Sequence, residues 1–184
     1  MSVVIAICGA PGSGKSTLTA AIKKQLSGAT SLDSDDYQSF TELEPDIVGS
    51  WLKEDGNYNR LKMPGLREAV NKLRGQKYNW ILLESHCGRA HSETAELVNY
   101  VVWIDTPLDI AMARKFSQLL TSTPSVNTQW LANYCELYPM TVEPLLKQQR
   151  QLVRAEADLC LDGRTSIVDL AKDLTSKLTS LVTK

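Results

Sequence analysis

The sequence predicts an α/β protein in which a parallel sheet lies between two helical layers. Three observations predict it. Short apolar runs alternate along the chain with segments of helical periodicity, an order that suits a parallel sheet covered on both faces. The first run, Val3-Val4-Ile5-Ala6-Ile7-Cys8, is apolar throughout, as a strand buried on both faces requires. It leads directly into Gly9-Ala10-Pro11-Gly12-Ser13-Gly14-Lys15-Ser16, which matches G-x-x-x-x-G-K-[ST] between a strand and a helix.

Taken in order, Val3 to Cys8 forms the first strand and Lys15 to Leu26 the first helix, with Leu18, Ile22 and Leu26 on one side. Gly28 follows that helix, where glycine is favoured. Ala29 to Leu32 reads as a short second strand. The acidic stretch from Ser34 to Tyr58 contains Pro45, Gly49 and Gly56, and is expected to hold one short helix. Pro64 to Leu73 reads as a helix, Tyr78 to Leu83 as a buried strand, and Tyr100 to Asp105 as another. Pro107 opens a helix to about Leu120, its missing N–H costing nothing in a first turn. Thr128 to Ala155 is expected to be helical, broken or bent at Pro139 and Pro144. Asp158 to Leu161 supplies the fifth strand. Ser166, with Asp169 three residues on, begins a last helix that turns Ile167, Leu170, Leu174, Leu178 and Leu181 to the core.

Composition fits one domain over residues 1–184. Of the 184 residues, 43% are hydrophobic and 22% charged, and the net charge of -1 gives no bulk attraction to nucleic acid or to an acidic membrane. The opening apolar run is too short to span a bilayer and lacks a signal peptide's basic start. The expectation is a cytoplasmic protein, monomeric or homodimeric. Its four cysteines, Cys8, Cys87, Cys135 and Cys160, form no CxxC pair and are expected to be buried free thiols. Only His86 and His91 could join them at a zinc, which argues against such a site.

The glycine-rich motif is a phosphate cradle. Glycines let the backbone curl so that several N–H groups face phosphate oxygens, and the helix N-terminus adds positive potential. Gly9, Ala10, Pro11, Gly12, Ser13 and Gly14 would form the curl. Lys15 would reach the β- and γ-phosphates, Ser16 would ligate Mg²⁺, and Thr17 would assist at the α-phosphate. This places the chain among P-loop NTPase folds: a three-layer α/β/α sandwich with a five-stranded parallel sheet. A guanine-reading N-K-x-D is missing: Asn71-Lys72-Leu73-Arg74 ends in Arg and lies in a helix. Asp46-Ile47-Val48-Gly49 has the form D-x-x-G but follows no strand. Motor ATPases carry an acidic pair after a buried strand, whereas Trp80-Ile81-Leu82-Leu83-Glu84 ends in one carboxylate.

Two acidic positions suit phosphoryl transfer. Leu32-Asp33-Ser34-Asp35-Asp36-Tyr37 follows the second strand, so its carboxylates emerge at the sheet edge where ligands bind. A carboxylate there can take a proton from a hydroxyl and help hold Mg²⁺; the same residues also suit an acidic capping turn. Glu84 can hold a Mg²⁺-bound water opposite Ser16, or be a surface charge at a strand end. His86, Cys87 and Arg89 follow on the same edge and either touch substrate or serve the loop.

With these residues assembled, the chain resembles the uridine kinase-like branch of P-loop kinases, which includes uridine-cytidine kinase, nicotinamide riboside kinase, phosphoribulokinase and bacterial pantothenate kinase. Ser34-Asp35-Asp36-Tyr37 resembles the D-D/S-F-Y signature of that branch, which implies Asp35 as general base and Mg²⁺ partner with Asp36 and Tyr37 beside the acceptor. Glu84 matches the Glu of an E-G motif, with Ser85 in place of the Gly. Val102 to Pro107 resembles the strand before a helical lid, here spanning approximately residues 114–155. The resemblance implies Arg114 and Lys115 as cations that neutralise the transferring phosphoryl group, unless they are a solvated helix face. No second basic residue follows three positions later, so Arg150 or Arg154 would compensate. Gly163-Arg164-Thr165 falls where similar kinases pack adenine, and also suits an ordinary capped turn.

Helix passes to strand directly through Arg74-Gly75-Gln76-Lys77, without the hairpin that encloses the base in nucleoside kinases of this branch. That counts against uridine or cytidine. Trp51, Tyr58, Asn59 and Arg60 would then line the acceptor pocket, although such aromatics suit the core equally. The function these residues imply is ATP- and Mg²⁺-dependent transfer of the γ-phosphoryl group to a hydroxyl of a small metabolite. One alternative is a nucleoside monophosphate kinase, with Arg60 its main acceptor-side cation. Another is a regulatory NTPase that hydrolyses nucleotide slowly.

Overall fold

A computed structural model describes residues 2–38, 45–122 and 128–182. Five parallel strands form one sheet in the order β2-β3-β1-β4-β5: β1 Val3–Cys8, β2 Ala29–Asp33, β3 Trp80–Ser85, β4 Tyr100–Asp105 and β5 Leu159–Asp162. The helices are α1 Lys15–Gln25, α2 Pro45–Glu54, α3 Leu66–Gly75, α4 Ser92–Leu97, α5 Leu108–Ser122, α6 Thr128–Leu137, α7 Glu143–Ala155 and α8 Ile167–Val182. The parallel α/β sandwich expected from the sequence is the observed fold.

The uniformly apolar strands are explained by a core on each side of the sheet. Ile5, Ile7, Leu82, Val102 and Ile104 pack toward α1 and α8, against Leu18, Ile22, Leu170 and Leu174. Their neighbours Val4, Ala6, Ile81, Leu83 and Val101 pack the other way, against Leu66, Val70 and Val153. Successive side chains of a strand point to opposite faces, so a strand covered twice must be apolar at every position. Leu18, Ile22 and Leu26 are buried as a set, as are Leu170, Leu174 and Leu178. Ser166 caps α8 as expected: its hydroxyl donates to Asp169 Oδ2 at 2.6 Å and accepts from the Asp169 amide at 3.2 Å. The side chain of Leu181 and residues 123–127, within the expected lid, lie outside the described residues.

Several boundaries differ from expectation. β3 and β2 run on to Ser85 and Asp33, which brings Glu84 and Asp33 into register as neighbours across the pair. The stretch from Thr128 to Ala155 continues through Pro139 as a π-helical turn, Tyr138–Val142, while Pro144 sits in the first turn of α7, where its missing N–H is harmless. The six-residue helix α4 carries too little periodicity to be read from sequence. It is built by local bonds: His91 Nδ1 accepts from the Glu93 amide at 3.2 Å, and Thr94 Oγ1 donates to the Gly88 carbonyl. Cys8 and Cys87 are buried free thiols, but Cys135 and Cys160 are exposed, one on α6 and one on the edge strand β5. Among the described residues, no helix is long and apolar enough to cross a membrane.

Leu82 is fully buried in the middle of β3. Leu82→Ala is expected to lower stability by about 2–5 kcal/mol, read as a fall in the urea midpoint at unchanged slope; a loss below about 1 kcal/mol would show that the sheet does not depend on this packing.

Candidate active site

The curl between β1 and α1 sits at the C-terminal edge of the sheet. Gly12 lies at φ +79°, and a Cβ there would fall 2.0 Å from the Ala111 carbonyl oxygen of α5. Glycine is therefore fixed both by left-handed backbone and by the closeness of α5. Lys15 Nζ donates to the carbonyls of Gly9 at 2.9 Å and Ala10 at 3.3 Å, which ties the side chain to its own loop. Burial pushes the Lys15 ammonium below its ordinary pKa, against the opposing pull of Asp35, Glu84 and Asp33. Gly14 precedes α1 without any side-chain cap, and no acidic residue occupies the first turn. The orphan amides of that helix end are left for an anion.

A cavity of about 1370 Å³ opens over this curl. Pro11, Gly12, Gly14, Lys15, Ser16 and Thr17 line its floor. Gly9, Ala10 and Ser13 form the base of the loop and do not line the cavity. The Ser16 hydroxyl donates to Glu84 Oε2 at 2.6 Å, across from β1 to β3. Among the described residues no three His, Cys, Asp or Glu side chains converge as a metal site. The donor set still fits a Mg²⁺ that takes one hydroxyl and one carboxylate from the protein and its other oxygens from phosphate and water.

Asp35 lines the same cavity, in a short 3₁₀ turn after β2, where the Asp33 side chain caps it by accepting from the Asp35 amide at 3.0 Å. His86 Nε2 stands 2.6 Å from Asp35 Oδ1. Gln38 Nε2 also donates to Oδ1, at 3.3 Å, so both contacts fall on one carboxylate oxygen. The His86 hydrogen bond, with lesser help from the charge of Lys15, holds the Asp35 carboxyl below the usual carboxylate range. Gln149 of α7 donates to the His86 carbonyl at 2.8 Å and anchors that loop. Arg114 and Lys115 enter from α5, and the Arg114 guanidinium donates to the Gly163 carbonyl at 2.9 Å. Arg164 and Thr165 line the cavity, whereas Gly163 is buried against Thr106 and does not.

A family model described as an AAA domain matches residues 5–117, from the first strand to the helix that carries Arg114 and Lys115. The chain belongs to this AAA-domain family. Comparison with curated proteins yields no match. Among solved structures, the AAA-domain chain is similar to shikimate kinase from Aquifex aeolicus vf5, at 17% identity over 98% of each chain and a TM-score of 0.54. It is similar to shikimate kinase from Acinetobacter baumannii in complex with shikimate, at 18% identity over 100% of this chain and 97% of that one, TM-score 0.56. A gluconokinase from Sinorhizobium meliloti 1021 matches at 13% identity over 98% of this chain and 93% of that one, TM-score 0.57. These likenesses establish the shared fold.

Several expected acceptor residues of this AAA-domain chain lie elsewhere. Tyr58 and Trp51 are core residues, packed edge to face at 5.5 Å. Asp36 is exposed outside the cavity, and Tyr37 packs on the core near Gly65. Asn59 Oδ1 accepts from the Ser92 amide, and Arg60 pairs with Glu54. Arg89 is a structural tie: it donates to the carbonyls of Glu156 and Asn99 and pairs with Asp158 at 2.8 Å. Arg150 and Arg154 do not join Arg114 and Lys115 at the cavity, because both are held by Asp105, Arg150 through two nitrogens. Burial alone would raise the Asp105 carboxyl, but Arg150, Trp103 and Arg154 hold it below the usual range.

Asp33, in the acidic segment at the end of β2, is set beside Glu84 by the strand register and lines the cavity. Residues of the helical wall such as Asn133, Tyr134, Thr141 and Leu145 line it too, and no motif in the sequence marks them.

Carbon-13 NMR is expected to place the Asp35 midpoint below its ordinary 3.8. The pair's stabilisation is then present above that ordinary value and is lost as pH falls through the lower folded midpoint. His86→Ala should move the midpoint upward; an unchanged midpoint would show that His86 is not the cause.

Proposed function

We propose that the chain is an ATP-dependent phosphotransferase that moves the γ-phosphoryl group to a hydroxyl of a small metabolite. The observation that carries this reading is the meeting in one cavity of the Lys15 loop, the Ser16–Glu84 pair and an Asp35 carboxylate clamped by His86. A nucleotide switch or slow hydrolase needs the first two. The third is what an incoming alcohol needs. The names of the fold relatives, shikimate kinase and gluconokinase, support the same class of reaction. The uridine kinase-like branch is the finer form of the proposal and rests on the Ser34-Asp35-Asp36-Tyr37 and Glu84 motifs.

ATP would supply the phosphoryl group, and a Mg²⁺ bound with it would be held by Ser16 and Glu84 with Asp35 beside them and would add positive charge at the phosphate oxygens. The acceptor oxygen forms its bond to phosphorus while the bond to the bridging oxygen breaks and ADP leaves. Asp35 takes the hydroxyl proton through Oδ2, since its Oδ1 is engaged by His86 and Gln38. His86 keeps that carboxylate in place and ionised. Lys15 and the lid cations Arg114 and Lys115 spread the charge that develops on the transferred group. Arg114 also braces the turn at Gly163, so that Arg164 and Thr165 face the base end of the nucleotide. Most of the acceleration is positioning and electrostatics.

Asp35→Asn is expected to lower kcat for phosphoryl transfer by about 10²–10⁴-fold with nucleotide affinity kept. Lys15→Ala should lose nucleotide affinity or turnover. Both are read by phosphorus-31 NMR with a panel of nucleosides, sugars and vitamins. Near-normal transfer by Asp35→Asn would remove the general base, and full activity of Lys15→Ala would remove the cradle.

A further inference from the structure

We infer that the acceptor alcohol carries no carboxylate or phosphate: its half of the cavity is built for an uncharged or cationic molecule. The inference rests on the phosphotransferase reading above and adds a substrate class to it.

The sheet order splits the cavity by charge. β1 delivers Lys15 at the middle. On the β4–β5 side, α5 and the turn before α8 bring Arg114, Lys115 and Arg164 to the lining. On the β2–β3 side, the strand ends bring Asp33, Asp35, Glu84 and His86. A phosphoryl group handed from Lys15 to a hydroxyl at Asp35 therefore passes from the cationic half to the anionic half.

The rest of the acceptor wall carries no charge. α2 packs on the π-helical turn, and the lining there includes Val48, Thr141 and Leu145. Among the described residues, no lysine or arginine lines this half. Of the described arginines, Arg114 and Arg164 lie along the cavity, and several others are paired away from it: Arg60 with Glu54, Arg67 with Glu96 at 2.7 Å, Arg89 with Asp158, and Arg150 with Arg154 on Asp105. Residues 39–44 and 123–127 contain neither lysine nor arginine in sequence. An acidic acceptor would lose its hydration beside Asp33 and Asp35, while the cations of the same cavity, Lys15, Arg114 and Lys115, are engaged by the phosphates in the proposed reaction. Groups arranged in this way reject an anion more strongly than they attract a neutral molecule. Hydroxyls can instead use Thr141 and the carboxylates, with Val48 and Leu145 covering an apolar face.

The test compares alcohols matched except for charge: glucitol with gluconate, a nucleoside with its 5′-monophosphate, and glucosamine as the cationic member. The full chain is assayed with ATP and Mg²⁺ for phosphorylated product. The melting-temperature shift is recorded in parallel with a non-hydrolysable ATP analogue. The uncharged or cationic member of each pair should be used with kcat/KM about 10²-fold above its anionic partner. Thr141→Arg should narrow that gap. Equal or better use of the anionic members overturns the inference and leaves the phosphotransferase reading standing. If ATP is hydrolysed and no alcohol of either kind is phosphorylated, it is the phosphotransferase reading that fails. The thermal shift then decides the charge preference alone: greater stabilisation by the neutral members supports the inference, and equal or greater stabilisation by the anionic ones overturns it.

Discussion

The backbone curl between β1 and α1 constrains everything around it. A chain that turns its amides inward over a few residues needs glycine where φ is positive, a rigid strand to launch it and a helix to receive it. β1 supplies the strand from the middle of the sheet, hydrogen-bonded on both sides to β3 and β4. α5 presses so close that nothing larger than hydrogen fits at Gly12. Lys15 is held by the loop's own carbonyls, so its charge is placed before any ligand arrives. Thr106 adds a further brace, its hydroxyl donating to the Ser13 carbonyl at 3.2 Å from the end of β4.

Strand order then decides which chemistry meets at the curl. In parallel sheets all strand ends of one polarity lie along one edge, and ligands bind there. With β3 beside β1, Glu84 arrives next to Ser16; with β2 beyond it, Asp33 and Asp35 follow. β4 and β5 occupy the other flank and bring the basic residues of α5 and of the last turn. The segregation of charge across the cavity is thus a consequence of topology. α7 has a double part in it: Gln149 fixes the His86 loop, while Arg150 and Arg154 are spent on Asp105 and withheld from the cavity.

The AAA-domain family and the shared fold set the strand ends along one edge of the sheet; for the proposed reaction they do not choose the acceptor. That choice falls to side chains that no motif marks. Val48 and Thr141 lie on elements remote in sequence from the phosphate cradle and are brought together where α2 and the π-helical turn pack. A pocket wall of this kind can change its residues without disturbing the sheet, which is why one fold serves many acceptors.

The sequence by itself determined the doubly covered sheet, the cradle from Gly9 to Ser16, the capped last helix and the positions of Asp35 and Glu84. These are local: periodicity, glycine spacing and cap chemistry act within a few residues and leave a readable pattern. Tertiary structure alone decided which polar residues are site and which are scaffold. Tyr58 and Arg89 looked like acceptor contacts, yet one fills the core and the other ties β4 to the end of α7. His86 was one loop residue among three, until folding set it against Asp35. Charge and aromaticity say what a side chain can bind, but its partner is fixed by packing between segments distant in sequence, and that information is not local.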